Sequence, residues 1–153
     1  MKNRLFAIIT VVLLSAVLLT SCTHIEDTNG ADTALCTLTE EDILASTNSS
    51  TRIGSVSSQV NNKYSLKVKK LSGVFDYTSL NLQAGQLLVI ESDVVVESGN
   101  LRIVIVCDGE YVADISVGTD QHIEVKIDRT DKYEIRIAGE SANFTFQFTY
   151  TVE

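Results

Sequence analysis

The chain has 153 residues, of which 20 are acidic and 12 are basic, so its formal net charge is −8. An acidic chain without a basic stripe repels phosphate backbones, which argues against nucleic acid as a partner. Hydrophobic residues make up 44% of the chain, and neither Pro nor Trp is present. The length is sufficient for one domain with its own core.

The first 22 residues form a leader with three parts. Lys2 and Arg4 supply positive charge, residues 5–19 are an uncharged and almost wholly apolar run, and small residues close the leader. This order of charge, apolar core and small-residue exit is typical of a secretory signal. The leader therefore predicts an extracytoplasmic protein.

The end of the leader, Leu19-Thr20-Ser21-Cys22, resembles the lipobox of bacterial lipoproteins. The resemblance implies cleavage after Ser21 and a thioether-linked diacylglycerol on Cys22, which anchors the chain to a bacterial membrane. Membrane lipid would then be its first partner. Two alternatives remain: an uncleaved membrane span, for which residues 5–21 are at the short limit of about 17–25 residues, and a conventional signal in which Cys22 is an ordinary residue.

Residues 22–62 predict a polar tether, because Thr, Ser, Asn and Asp dominate and apolar residues are sparse. Within it, residues 39–45 carry a cap-like Thr39, three acidic residues and a short apolar run. This pattern favours one or two helical turns. A helix this short is unstable alone, so it either docks on the domain or remains frayed.

Cys36 and Cys107 remain once Cys22 is assigned to the lipid. Disulfides persist outside the cytoplasm, and closing this loop would stabilise the fold by roughly 4 kcal/mol on the chain-entropy model. We therefore favour a disulfide between them. The alternative is two unpaired small residues, with Cys107 facing the core.

Residues 63–153 predict a β-domain, because apolar and polar residues alternate with period two. Asp108-Gly109 is a strong hairpin signal between two such runs. In residues 101–106, apolar side chains fall on both faces of the predicted strand, which indicates a central strand that is covered on both faces. The prediction is an all-β, single antiparallel β-sandwich of jelly-roll type with about eight strands: residues 64–69, 80–82, 87–96, 101–107, 111–117, 123–128, 133–138 and 144–152.

Several of these segments resemble the bacterial pre-peptidase C-terminal domain, over about residues 76–152. The resemblance implies a small jelly-roll-like sandwich; relatives are appended to secreted peptidases, and some bind collagen or polysaccharide. The family usually has a Gly before the final aromatic strand, where this chain has Ala142-Asn143. The matching residues are Leu80, Leu82, Ala84-Gly85-Gln86, Leu88, Ile90, Gly99-Asn100-Leu101, Ile103, Ile105, Asp108-Gly109, Val112-Ala113, Tyr133, Ile135-Arg136-Ile137, Phe144, Phe146 and Phe148.

No catalytic, metal or cofactor site is predicted. The two histidines, His24 and His122, fall in the tether and on the outer side of a strand, and no nucleophile-elbow motif is present. The acidic groupings lack the ligand spacing of a calcium loop, and the cysteines lack that of a zinc site.

Glycan-binding sandwiches use exposed aromatic rings, and four of the five tyrosines fall on predicted apolar faces. Tyr77, in the loop-like stretch 72–79, is thus the candidate ligand contact. The predicted function is a lipid-anchored, non-catalytic binding or adhesion module for a protein or polysaccharide. The alternative is a structural or accessory subunit of a cell-envelope complex. Residues 144–152 are a candidate edge strand for strand addition in either role.

Overall fold

The structure is a computed structural model, and it describes residues 38–45 and 49–153. These residues belong to one compact unit. The leader, the predicted lipid site Cys22, His24 and Cys36 lie outside the described residues.

The described residues form one short helix and seven strands, all joined in a single antiparallel sheet. The all-β prediction is confirmed. Several predicted strands are parts of longer ones, so three strands are 20 to 22 residues long. The elements are α1 Glu40–Leu44, β1 Ser50–Ile53, β2 Val56–Val60, β3 Lys63–Leu82, β4 Leu87–Cys107, β5 Glu110–Ile115, β6 Gly118–Lys126 and β7 Asp131–Val152.

The three long strands build both layers of the sandwich. β7 lies between β3 and β4 over residues 133–149, and the register of these pairs shifts near residues 68–71, 96–100 and 140–143. Layer 1 contains β2, β6 and residues 63–68, 87–96 and 143–152; layer 2 contains β1, β5 and residues 71–82, 100–107 and 131–142.

Gly99 lies where β4 passes from layer 1 to layer 2. Its φ is +75°, and a Cβ built there would approach the carbonyl oxygens of Ser141 and Glu140 to 2.5 and 2.6 Å. Only glycine adopts this conformation at low cost and also leaves that space free. The bend therefore depends on a residue without a side chain.

The core lies between the two layers and draws on the inward residues of every long strand. Phe144, Phe146 and Phe148 are at most 2% exposed. Their partners across the core come from layer 2, since the Tyr77 ring lies 6.1 Å from that of Phe146. The strict alternation of the last strand predicted this apolar face correctly.

Two short strands correct the predicted tether. β1 and β2 fall within residues 22–62, yet both pair with β3 and extend the sheet. Their side chains are almost all exposed, because each lies at the edge of the sheet and contributes backbone hydrogen bonds rather than core residues. A hydrophobic pattern does not reveal such strands. In the structure the sheet begins at Ser50, before the boundary predicted at residue 63.

Helix α1 docks on the outer face of layer 2. Thr39 caps it, accepting a hydrogen bond from the Asp42 amide, while the Asp42 carboxylate accepts one from the Thr39 amide. The Asp42 carboxylate also accepts a hydrogen bond from the Thr39 hydroxyl, and this bond, followed by the one from the Thr39 amide, lowers the pKa of Asp42. Ile43 is 1% exposed and packs in a second cluster with Val104, Val106 and other residues of layer 2. Residues 101–106 were predicted to be buried on both faces, and α1 is the element that buries the outer one.

Candidate functional site

Arg136 holds α1 against layer 2. It lies in the outward register of β7 but is only 4% exposed. Its guanidinium donates to the Asp76 carboxylate at 2.7 Å, to the Glu134 carboxylate at 3.1 Å and to the carbonyl oxygen of Ile43 at 2.9 Å. The last carbonyls of a helix have no partner within the helix. Arg136 thus satisfies one of them while remaining neutralised by two carboxylates.

The outer face of layer 1 is open and polar. Its central strand presents Thr145, Gln147 and Thr149, each of which is exposed or half-buried. The cross-strand partners on the two sides differ in charge: Lys63 faces Thr149 from β3, and Glu91 faces it from β4. The face therefore offers hydroxyls and amides between a basic and an acidic border.

His122 lies at the acidic border, with one carboxylate on each ring nitrogen. Nδ1 is 2.7 Å from Glu91 Oε1, and Nε2 is 3.2 Å from Glu124 Oε1. Hydrogen bonding to Glu91, and then to Glu124, raises the pKa of His122. Over residues 38–45 and 49–153, no hydrogen bond links His122 to a hydroxyl or thiol, so it has no nucleophile to activate there.

A cluster of aromatic rings closes one end of the core. Tyr64 stacks on Phe148 at 4.6 Å between ring centroids, and Tyr77 meets Tyr64 edge to face at 6.3 Å. The Tyr150 ring is tilted against Tyr64 at 6.1 Å. Burial raises the pKa of both Tyr77 and Tyr150. Tyr150 is the half-buried outer member of the cluster.

Beside Tyr150 is a cleft of about 400 Å³, which we call the tyrosine groove. Its lining combines apolar side chains with hydroxyl and amide groups. Its volume lies within the range of about 300–1,000 Å³ that is usual for ligand pockets. The lining residues are Ser79, Leu80, Asn81, Leu82, Gln86, Tyr150 and Val152.

One wall of the groove is a strand edge without a described partner. β1 pairs with β3 only over residues 70–73, so residues 78–82 pair with β7 on one side and with no described strand on the other. An unpaired edge presents backbone donors and acceptors to a further strand. The groove therefore combines an open edge with side-chain pockets.

The structure changes the place of Tyr77. The stretch 72–79 is part of β3 rather than a loop, and Tyr77 is half-buried in the aromatic cluster. Its hydroxyl donates to the carbonyl oxygen of Ser65 at 3.0 Å, which links layer 2 to layer 1. The contact of Tyr77 with a ligand remains a prediction. In the structure its hydroxyl is engaged by the carbonyl oxygen of Ser65.

Two further predictions about exposure and edges were wrong. Tyr111 was placed on an apolar face but is 39% exposed, because a register shift between Ile105 and Val106 turns it outward opposite Val106. The Tyr111 hydroxyl donates to Asp114 at 2.9 Å. Residues 144–149 are not at an edge, since β4 and β3 pair with them on the two sides, whereas residues 150–152 pair with β4 alone.

Cys107 is buried and carries a free thiol. Arg129 Nε donates to Cys107 Sγ at 3.2 Å, and Arg129 Nη2 donates to the Cys107 carbonyl oxygen at 2.6 Å. Because Cys36 lies outside the described residues, the disulfide between them remains a prediction. Forming it would require the thiol to leave Arg129.

Neither a metal site nor a membrane helix occurs in the part of the chain that the structure describes. No group of three or more His, Cys, Asp and Glu side chains there is placed to hold a metal ion. None of the helical residues there makes a segment long and apolar enough to cross a membrane.

The chain has no match among protein-family models and none among curated proteins. Among solved structures, it is similar to Aeromonas hydrophila PliG, a periplasmic lysozyme inhibitor of g-type lysozyme. The identity is 18%, over 64% of this chain and 89% of that one, with a TM-score of 0.38.

It is also similar to two variants of the family 29 carbohydrate-binding module CBM29-2. Each is 12% identical over 69% of this chain, with 74% and 80% of the module covered and TM-scores of 0.36 and 0.35. At such low identities and scores, nothing about the function of this chain follows from these proteins.

Sequence reasoning missed both Arg136 and the tyrosine groove. Arg136 stands between Ile135 and Ile137 like any exposed charge on an alternating strand. The signal that could have found it was on the neighbouring strand, where Val104 and Val106 required a cover. Nothing in the sequence indicates the groove, because β3 and the end of β7 come together only in the folded sandwich.

Proposed function

We propose that this chain is an extracytoplasmic, lipid-anchored and non-catalytic binding module that holds an extended ligand segment in the tyrosine groove. The observation that carries the proposal is the stretch 78–82 of β3, which has no described strand on its outer side and lies beside a cleft of about 400 Å³. An anchored domain that presents such a groove is suited to capture rather than to chemistry.

The leader supports the anchor. Two membrane-binding signals are needed for stable anchoring by lipid, and a diacylglycerol supplies two chains on one residue. Mass spectrometry of the native protein is expected to find Cys22 as the first residue and to find it acylated. An unmodified Cys22 would refute the anchor and leave the groove unaffected.

The ligand class that fits the groove best is a short extended peptide segment of another protein. A peptide that adds to β3 gains main-chain hydrogen bonds along residues 78–82 and places alternate side chains toward the groove. Leu80 and Leu82 are 6% and 3% exposed and supply an apolar floor. This mode needs neither a nucleophile nor a metal.

Site-specific photocrosslinking on intact cells would test this proposal. A photoreactive amino acid at Asn81, which is exposed on the open edge, is expected to capture one recurrent protein. The same residue at Lys126, exposed on the edge strand β6, is the matched control and is expected not to capture that protein. With the captured partner bound, backbone amides in residues 78–82 should gain protection from hydrogen exchange. Equal capture at both positions would refute binding at the groove.

A polysaccharide is the second candidate ligand. Ser79, Asn81 and Gln86 place hydroxyl and amide groups around the half-buried Tyr150, and a tyrosine ring with polar neighbours suits a sugar face. Titration with soluble oligosaccharides, followed by NMR shifts of Tyr150 and Leu82, would test it. Shifts confined to these groove residues, without protection of the β3 edge, would favour a glycan over a peptide.

The alternative role as an accessory subunit of an envelope complex has the same first test. Recovery of the captured protein together with further members of one envelope complex, at fixed stoichiometry, would assign that role, and function would then be deduced from the complex. Capture of one recurrent protein through Asn81 without such a complex would favour the binding module.

A further inference from the structure

Five of the 12 basic residues of this acidic chain fall in one stretch that has no acidic residue. Residues 43–75 contain five cations and no acidic residue, although the whole chain has 20 acidic residues. One of them lies on β1 and four lie on the first eight residues of β3. They are Arg52, Lys63, Lys67, Lys69 and Lys70.

The sheet gathers these cations along one edge of the sandwich. The four lysines are all exposed on the first part of β3. Within residues 38–45 and 49–153, the ion pairs engage other basic residues, and none of the four lysines has a carboxylate partner. Arg52 lies over the ring of Phe75 at 4.2 Å. The edge therefore carries positive charge that the described domain does not neutralise.

Exposed aliphatic side chains lie beside the same lysines. Ile53, Val56 and Val60 are 55%, 69% and 67% exposed. Each is the cross-strand partner of a lysine: Ile53 of Lys70, Val56 of Lys67 and Val60 of Lys63. Directly opposed residues point to the same side of a sheet. We call these four lysines and three aliphatic residues the basic-aliphatic edge.

We propose that the basic-aliphatic edge docks on the surface of an anionic lipid bilayer. Lysines near anionic headgroups gain electrostatic attraction, and aliphatic side chains gain by entering the interfacial zone of the bilayer. A soluble polyanion would use the lysines but leave the three aliphatic residues in water. An acidic protein would need a complementary apolar surface, which a bilayer always provides.

The proposal rests on the proposed anchor in one respect, namely that Cys22 keeps the domain within reach of the membrane. Leu38 is 16 residues after Cys22, so at about 3.3–3.6 Å per residue it can be at most roughly 60 Å from the lipid. Confinement within that distance raises the effective concentration of the edge at the surface. A patch too weak to bind from solution can then hold the domain in one orientation.

The test uses the native lipoprotein reconstituted in two kinds of vesicle, one of phosphatidylcholine alone and one with about a third phosphatidylglycerol. Brief lysine acetylation followed by mass spectrometry reports the accessibility of each lysine. We expect Lys63, Lys67, Lys69 and Lys70 to react several-fold more slowly in the anionic vesicles. Lys126, on the far edge strand β6, should react equally in both. High salt should abolish the difference, because it screens surface charge.

Two double variants separate charge at this edge from total charge. Lys67→Glu with Lys70→Glu should remove the protection of Lys63 and Lys69. Lys126→Glu with Lys132→Glu, which changes net charge equally, should leave it intact. Equal acetylation of the four lysines in both vesicles would overturn the proposal. Protection in neutral vesicles that grows with protein density would also overturn it, by assigning the edge to contacts between copies of the chain.

The proposal for the edge can be tested even if the proposed lipid anchor at Cys22 is wrong. If Cys22 proves to be unmodified, sedimentation of the exported chain with the same two vesicles measures the edge directly. Binding to the anionic vesicles that is lost in Lys67→Glu with Lys70→Glu would support the edge without the anchor. No difference between the vesicles would refute the edge.

Discussion

The guanidinium of Arg136 donates a hydrogen bond to the carbonyl oxygen of Ile43 at 2.9 Å, across 93 residues of sequence. The same side chain donates to Ala45 at 3.3 Å and to Asp76 at 2.7 Å. One arginine on the central strand thus fixes the end of α1 to the sheet.

Replacing Arg136 with Leu should release α1 while the sandwich remains folded. The substitution leaves the α1 carbonyls and Asp76 without their donor, but α1 can undock and recover water as a partner. We expect the free energy of unfolding to fall by about 1–3 kcal/mol, less than for a fully buried pair. Hydrogen exchange should show loss of protection at Ile43 and Ala45, whose amides bond within α1.

Arg102→Leu is the matched control, since Arg102 is also on the outward side of a central strand. Its pair with Asp114 at 2.9 Å is 31% and 44% exposed, so its loss should cost less than about 1 kcal/mol. Denaturant unfolding followed by exchange would separate the two variants. Equal effects would show that Arg136 does not fix α1.

Tyr77→Phe tests whether Tyr77 links the two layers. The variant retains the ring in the aromatic cluster and removes only the hydrogen bond to the Ser65 carbonyl oxygen. A half-buried hydrogen bond of this kind contributes about 1 kcal/mol, so unfolding should occur at lower denaturant concentration with an unchanged slope. Tyr111→Phe, which removes an exposed bond to Asp114, should change the midpoint little. If ligand binding falls in Tyr77→Phe, the hydroxyl has a second role.

Gly99→Ala tests the bend between the layers. Gly99 and Gly109 have nearly the same φ, +75° and +76°, but a Cβ at Gly109 meets nothing within 4 Å. Gly109→Ala should therefore cost only the conformational strain, about 1 kcal/mol. Gly99→Ala adds a collision with the backbone of residues 140–141 and should cost at least about 2 kcal/mol more. Thermal unfolding of the two variants measures the difference, and equal stability would refute the close approach at Gly99.

His122 should make stability depend on pH. Its pKa is raised above its ordinary value of 6.5, chiefly by Glu91, so the folded state binds the proton more tightly than the unfolded state. The resulting stabilisation is fully present below about pH 6.5 and is lost as pH rises through the folded pKa. NMR titration of the His122 ring should show a fall in pKa in Glu91→Gln and a smaller fall in Glu124→Gln. An unchanged pKa in Glu91→Gln would exclude this contact in solution.

The period-two alternation predicted the β-class and the inward faces of the long strands correctly. Tyr64, Leu66 and Val68 all point into the core, as do Phe144, Phe146 and Phe148. Alternation is informative where one side of a strand is buried and the other meets solvent. It gave too many strands, because it does not show whether a polar interruption ends a strand or only bends it.

Other features depended on residues that are distant in sequence. Tyr111 turned outward because a register shift between Ile105 and Val106 changed the parity of its strand, and no local signal marks that shift. The side chains of β1 and β2 are almost all exposed, and backbone hydrogen bonds to β3 hold the two strands in the sheet. No hydrophobic pattern marks strands of this kind. The tyrosine groove required the ends of β3 and β7 to meet.

The sequence by itself determined the leader pattern, the acidic charge and the alternating faces, since each is a property of neighbouring residues. Tertiary structure decided that α1 docks through Arg136, that three long strands build both layers, and that the lysines of β3 lie beside exposed aliphatic residues. The physical reason is that backbone hydrogen bonds and buried ion pairs join residues without regard to their separation in the chain. A pattern read along the chain records periodicity, and it does not record which strand lies beside which.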